Sequence, residues 1–267
     1  MFYNLKEATL QLDNTSISYA VFGKGTKPLV IIPGLTLRDV KGAGWSLAYM
    51  YRIFAKNYRV YIFDKKKIIP EGYKIKNLAD DLVHAMRTLD IENAHIFGVS
   101  QGGMVAQYLA LDYPELVDKL VLGVTLSRNN PTVENVIKKW VQLSEKNDFE
   151  GIVADMMEIM YSESYVKKYR WLFPILTKIS KPKDMNRFMT LAKACLTCDT
   201  YDRLEEIQCP TLVLGGKQDQ IVTGEASEEM AEKLGCEIYM YERLGHSAYE
   251  EAADFNERIY MFLLKEN

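Results

Sequence analysis

His95-Ile96-Phe97-Gly98-Val99-Ser100-Gln101-Gly102-Gly103-Met104 decides the reading of this chain. The run His95–Val99 is apolar almost throughout, as a strand buried on both faces requires. From Met104 to Asp112 the apolar residues recur at helical spacing. Between the two lies Gly98-Val99-Ser100-Gln101-Gly102, a Gly-x-Ser-x-Gly turn in the strand-to-helix setting that gives the motif its meaning. Such a turn forces the serine backbone into a strained conformation, and glycines two residues before and after it admit a backbone approach that a Cβ would block. Ser100 then projects its hydroxyl above the sheet, at the start of a helix whose free N–H groups and dipole favour a developing oxyanion. The competing reading is a tight turn with a purely structural role.

Outward from the turn, short apolar runs alternate with helical patterns. The runs are Leu29–Ile32, Val60–Phe63, His95–Val99, Leu120–Val124, Thr211–Leu214 and Glu237–Tyr241. Helical spacing marks Leu47–Lys56, Leu78–Leu89, Met104–Asp112, Glu225–Leu234 and Ala248–Leu264. Strand, helix, strand repeated in this way predicts a parallel sheet with helices on both faces. Near the start, Thr9–Leu12 and Ile17–Phe22 flank Asp13-Asn14, which predicts an antiparallel hairpin at one edge. The fold class is therefore α/β, a mostly parallel central sheet with an N-terminal antiparallel hairpin.

One interval breaks the rhythm. From Pro131 to about Met189 there are helical patterns and no convincing strand, so residues 127–189 read as a helical cap inserted into a core of 1–126 and 190–267. The insertion is rich in large apolar groups, among them Trp140, Phe149, Met156, Met157, Met160, Trp171 and Phe173. A small helical layer cannot bury all of these internally, so some are expected to wall a substrate pocket, with Trp171 and Phe173 as candidates.

Composition narrows the function classes. The chain has 267 residues, 48% of them hydrophobic and 26% charged, which describes one globular unit of α/β size. Its 33 basic residues stand against 36 acidic ones, for a net charge of -3, so no global field is available to hold a nucleic-acid backbone. No stretch approaches the ~18 apolar residues of a membrane span. MFYNLKEATLQL has none of the marks of a secretory signal, and the expected location is cytoplasmic. Cys195, Cys198, Cys209 and Cys236 all fall in the last third of a chain large enough to fold without disulfides. Cys195 and Cys198 form a CxxC pair inside a helical pattern, where small buried side chains explain them better than redox or metal chemistry.

A serine hydroxyl needs an oriented general base. The chain offers His84, His95 and His246. His84 is placed mid-helix and His95 opens the strand before the turn, so both read as structural. His246 follows the last strand in Gly245-His246-Ser247, on the strand-end side that carries Ser100. For the orienting carboxylate, Thr211–Leu214 runs into Gly215-Gly216-Lys217-Gln218-Asp219, which presents Asp219 in a glycine-bearing turn. Asp219 could instead cap the helix after Thr223, and Glu242 and Asp202 are weaker alternatives.

The order Ser100, Asp219, His246, with a helical insertion after the serine, resembles the α/β-hydrolase fold superfamily over nearly the whole chain. The resemblance includes Ile32-Pro33-Gly34-Leu35 after the third strand. It implies an oxyanion hole made of the backbone N–H groups of Leu35 and Gln101. It further implies a serine hydrolase acting on an ester or thioester of a small-to-medium acyl compound, with no metal or organic cofactor. A same-fold lyase or C–C bond hydrolase, and a ligand receptor without turnover, are the alternatives. The chain departs from the family pattern twice. Pro33-Gly34 stands where members commonly have His-Gly, and Asp64 is followed by Lys65-Lys66-Lys67 in place of a glycine-containing loop. The lysines read as a solvated loop or as a contact for an acidic substrate at the cleft mouth. The oligomeric state is not legible.

Overall fold

A computed structural model describes residues 2–12, 15–37, 39–173, 177 and 184–266. Eight strands form one sheet: β1 Lys6–Leu12, β2 Thr15–Phe22, β3 Lys27–Ile32, β4 Tyr58–Phe63, β5 Ala94–Val99, β6 Val117–Gly123, β7 Thr211–Gly216 and β8 Glu237–Tyr241. Their order is β1-β2-β4-β3-β5-β6-β7-β8. β1 pairs antiparallel with β2 and β2 antiparallel with β4, while every later pairing is parallel. The fold is α/β with an antiparallel N-terminal pair. The Asp13-Asn14 turn lies outside the described residues.

Alternation along the strands divides the core into two layers, because successive side chains of a strand point to opposite faces. Val30, Ile32, Ile96, Leu120 and Leu122 pack on one side with α2 (Ile75–Thr88) and α3 (Gln101–Asp112). Leu29, Ile31, Phe97 and Val121 pack on the other with α1 (Gly44–Met50) and the C-terminal helices. Each fully buried side chain of this kind contributes about 1.5–3 kcal/mol. In α2, Ile75, Leu78, Ala79, Leu82, Val83 and Met86 form the buried stripe, and Asn77 Oδ1 accepts the Lys74 N–H at 3.1 Å to close its first turn.

Two expected helices are broken. Leu47–Lys56 resolves into α1 and a 3₁₀ turn over Arg52–Lys56. The break at Tyr51 tucks that ring into the core, edge-on to Phe97 at 6.2 Å. Likewise Ala248–Leu264 divides into a short helix Ala248–Glu251 and a longer one Phe255–Leu264, with Ala252 extended between them. The change of direction brings Phe255 fully inside, against Tyr241 and Phe97.

Between β6 and β7 the described residues include four helices: α4 Pro131–Glu145, α5 Phe149–Met160, α6 Glu163–Tyr169 and α7 Met185–Cys195. Each starts at a polar cap: Asn130, Asp148, Ser162 and Asp184 accept backbone N–H groups of their first turns. Helix α7 packs on α4 and runs without interruption through the expected 189/190 boundary. The buried Trp140 Nε1–H donates to Asp155 Oδ2 at 2.7 Å, joining α4 to α5. Helix α8 (Gly224–Leu234) follows β7, and the two C-terminal helices are α9 (Ala248–Glu251) and α10 (Phe255–Leu264). Among the described residues no helix is long and apolar enough to cross a membrane.

Candidate active site

Ser100 sits between β5 and α3 with φ 53° and ψ -120°, a strained combination for a residue with a side chain. Its surroundings hold it there. The Ser100 N–H donates to Gly123 O at 2.8 Å, and the Ser100 carbonyl accepts from Thr125 Oγ1 at 2.7 Å. A Cβ on Gly98 would lie 2.4 Å from Gly102 O, and one on Gly102 would lie 1.9 Å from Ile32 O, so the turn requires glycine at both positions.

The loops after β7 and β8 deliver the other two groups. Gln218 N–H donates to Leu244 O at 3.0 Å, which ties one loop to the other. His246 Nε2 lies 2.9 Å from Ser100 Oγ, and His246 Nδ1 lies 2.8 Å from Asp219 Oδ2. The partners fix the tautomer: Nδ1–H donates to the carboxylate, leaving the Nε2 lone pair to accept the serine O–H. Asp219 does not cap α8, because Thr223 Oγ1 does so by accepting the Ala226 N–H. His246 and Asp219 are both buried. Glu242 is exposed, and Asp202 stands in a 3₁₀ turn before β7. His84 lies within α2, and His95 hydrogen bonds to Asp118.

The cavity reached by Ser100 and His246 is apolar. Leu35 lines it from the loop after β3, Met104 from α3, Val133, Ile137 and Trp140 from α4, Met156 and Met160 from α5, and Cys195, Ile221 and Val222 complete it. Trp171 and Phe173 do not line it. Trp171 is 71% exposed in a 3₁₀ turn after α6, and Phe173 follows it half-buried. Neither is among the residues that line the cavity, which corrects their expected place in the pocket wall. The spacing 133, 137, 140 together with 156, 160 is one-face spacing on two successive helices, a signal present in the sequence.

Leu35 follows Gly34, where an added Cβ would come within 3.2 Å of Ser100 Cβ, and Gln101 opens α3. The two residues named for an oxyanion hole thus flank the serine. The lysine loop is corrected: Lys65 is buried, with Nζ 2.5 Å from Pro33 O and 2.7 Å from Gly34 O. Burial lowers its pKa to about 8, with Asp64 acting in the opposite direction. Lys66 lies over the Tyr73 ring and pairs with Asp81, and Lys67 is exposed. All four cysteines are free, and burial pushes the Cys195 thiol up to about 11, with Gln101 Nε2–H donating to its sulfur at 3.1 Å. Among the described residues no group of three or more His, Cys, Asp or Glu side chains is placed to hold a metal.

A mostly parallel sheet with a strained serine at the end of its fifth strand, and acid and imidazole on later strand-end loops, defines a class of protein. The chain belongs to the alpha/beta hydrolase fold family, whose sequence model matches residues 27–253. It is 25% identical over 201 residues to a putative carbamate hydrolase RutD of Caulobacter sp. (strain K31), covering 72% of this chain and 75% of that one. It is also 25% identical over 292 residues to a 2-hydroxy-6-oxononadienedioate/2-hydroxy-6-oxononatrienedioate hydrolase of Paraburkholderia xenovorans (strain LB400), covering 98% and 94%. In structure it is similar to an enol-lactonase from Burkholderia xenovorans LB400, with a TM-score of 0.85, 19% identity and coverage of 97% and 100%.

Proposed function

We propose that this protein is a serine hydrolase that cleaves an ester or thioester of a small-to-medium, largely apolar acyl compound. The observation that carries the reading is the unbroken line Asp219, His246, Ser100, at 2.8 and 2.9 Å. His246 Nε2 takes the hydroxyl proton as Ser100 Oγ attacks the carbonyl carbon, and Asp219 stabilises the imidazolium that forms. The carbonyl oxygen, now an oxyanion, is received by the Leu35 and Gln101 N–H groups. Collapse breaks the bond to the alcohol or thiol, which leaves with the proton from His246. Water, deprotonated by the same imidazole, then releases the acid and returns the proton to Ser100. The helices of the insertion serve as a cap, and the apolar wall from α4 and α5 favours an acyl chain over a charged one.

A fluorophosphonate label read by mass spectrometry, with p-nitrophenyl esters of increasing chain length, tests this. The expected result is an adduct on Ser100 and turnover that peaks at an intermediate length, both abolished in Ser100→Ala. An adduct on Ser127 or Ser247 would overturn it. Similarity to the dienedioate hydrolase over 98% of the chain supports a second reading, C–C bond hydrolysis by the same three groups. Labelling of Ser100 without turnover of any ester, together with cleavage of a 2-hydroxy-6-oxodienoate, would select it.

A further inference from the structure

Lys65 presents a problem that the hydrolytic reading does not absorb. It is a lysine in the loop two residues past the buried strand β4, 7% exposed, and its ammonium faces two backbone carbonyls, Pro33 O and Gly34 O. Desolvating a cation is costly, and an apolar side chain of similar volume would generally serve stability as well or better. The residue is nevertheless fastened from several sides. Its N–H donates to Asp64 Oδ1 at 2.7 Å, and Arg187 of α7 donates through Nη2 to the same oxygen at 3.1 Å and to the Lys65 carbonyl at 2.8 Å. Asp64 Oδ2 accepts the Val40 N–H at 3.1 Å. The backbone that carries the ammonium is therefore fixed in place.

The carbonyl that Lys65 holds belongs to the peptide unit that matters most here. Gly34 C=O and Leu35 N–H are the two ends of one planar peptide, and in the trans form they point in opposite directions. Seating a cation on the Gly34 oxygen sets the plane of that peptide, aims the Leu35 N–H away from Lys65, and strengthens it as a donor by polarising the amide. Leu35 lines the cavity that Ser100 and His246 face. We infer that Lys65 is a positioning residue of the oxyanion site, holding the Pro33 and Gly34 carbonyls so that the Leu35 N–H meets the oxygen of the tetrahedral intermediate. The inference rests on Ser100 being the nucleophile. It gives the departures at Pro33 and at Lys65 a single explanation, since proline supplies no side-chain donor to brace the loop from within and Lys65 braces it from behind.

Among the described residues, the charged and titratable groups facing Lys65 are Asp64 from its own loop, Asp39 through Asp64, and Arg187 and Cys195 from α7. With a pKa near 8, Lys65 is mostly charged at neutral pH and loses that charge as the pH rises further.

Lys65→Met keeps the volume and removes the charge and donors. On the fastest p-nitrophenyl ester it is expected to lower kcat about 10- to 100-fold with KM within about threefold, because the lost alignment acts on the oxyanion and not on the bound ester. Affinity for an alkyl boronic acid, which becomes tetrahedral on Ser100, should fall by the same factor, while affinity for the planar amide of equal chain length should not move. A kcat within twofold of wild type overturns the inference, as does an equal loss for boronate and amide, which indicates general collapse of the site. If Lys65→Met does not fold, the wild-type enzyme carries the test. Its kcat should decline several-fold as pH rises through about 8, and a kcat level to pH 10 overturns the inference. A wild-type protein that neither labels at Ser100 nor turns over any ester removes the nucleophile reading and this one together. A labelled, active wild type with an unimpaired Lys65→Met removes this one alone.

Discussion

His246 Nδ1 lies 2.8 Å from Asp219 Oδ2, while the other oxygen of that carboxylate is held by the Ile221 and Val222 N–H groups at 2.8 and 3.0 Å. The backbone thus aims the carboxylate before the imidazole meets it. An amide at this position can still satisfy Ile221 and Val222 through its oxygen, but it then turns an N–H₂ donor toward Nδ1. That selects the tautomer in which Nε2 carries the proton and cannot accept one from Ser100. Asp219→Asn should therefore fold normally and lose about 10²–10⁴ in kcat. Glu242→Gln, exposed, should stay within twofold. A crippled Glu242→Gln with an active Asp219→Asn, in steady-state ester kinetics, would move the acid to the wrong loop.

Chain-length preference should respond to α5 and not to the turn beyond α6. Met156→Ala and Met160→Ala remove flexible apolar bulk from the cavity wall, so the ester of maximal kcat/KM should lengthen by about two carbons, with little change for the acetate. Trp171→Ala, taken from an exposed side chain, should leave the preference where it is. A panel of p-nitrophenyl esters from acetate to decanoate decides between them, and a shift produced by Trp171→Ala would place the pocket elsewhere.

How much of this was legible in the sequence depended on whether the signal was local. Ser100 is marked by a five-residue turn inside a strand-to-helix pattern, and Asp219 and His246 each follow a readable strand, so chain order alone brought the three to one end of the sheet. The cavity wall was harder. Which face of α4 and α5 turns toward Ser100 depends on how those helices dock, through contacts such as Trp140 to Asp155 that no helical period encodes. A tryptophan at 171 and one at 140 look alike as letters, yet one is 71% exposed and the other 4%. Lys65 is hidden from a sequence reading for the same reason. Three consecutive lysines resemble a solvated loop, and only the tertiary partners at Pro33, Gly34 and Arg187 take the first of them inside. Helix breaks at Tyr51 and Ala252 also follow from core packing of aromatic rings, which overrides a continuous apolar pattern.

The Trp140 to Asp155 hydrogen bond should matter to stability. Asp155 is buried, and its other oxygen pairs with Lys139. Asp155→Ala would strand the indole N–H away from water, a cost of about 1–3 kcal/mol. Urea denaturation should show that loss. Trp140→Phe in the Asp155→Ala background should recover part of it, because the unsatisfied donor is then gone; no recovery in the double variant would show that the aspartate acts through something other than the indole.

The dependence of stability on pH should report on His95, at the end of the sheet away from Ser100. His95 Nε2 lies 3.0 Å from Asp118 Oδ2, an oxygen that Lys27 Nζ also approaches at 2.5 Å, and His95 Nδ1 is buried with no hydrogen-bond partner among the described residues. Burial lowers the His95 pKa to about 4 and the Lys27 ammonium adds to the effect, while Asp118 opposes both. In the unfolded chain the same imidazole titrates near its ordinary value of 6.5. Between about pH 6.5 and 4 the unfolded state therefore binds a proton that the folded state does not, and stability falls as the solution is acidified. The contribution is fully present above 6.5 and is lost progressively toward 4. Across that range the difference amounts to about 1–2 kcal/mol. His95→Gln retains a donor for Asp118 and does not titrate. Its urea midpoint should accordingly decline less than that of wild type between pH 7.5 and 4.5, while turnover of any accepted ester stays unchanged. Parallel curves for the two proteins, or a wild type that gains stability on acidification, would mean that His95 is already protonated in the folded state and paired as a cation with Asp118.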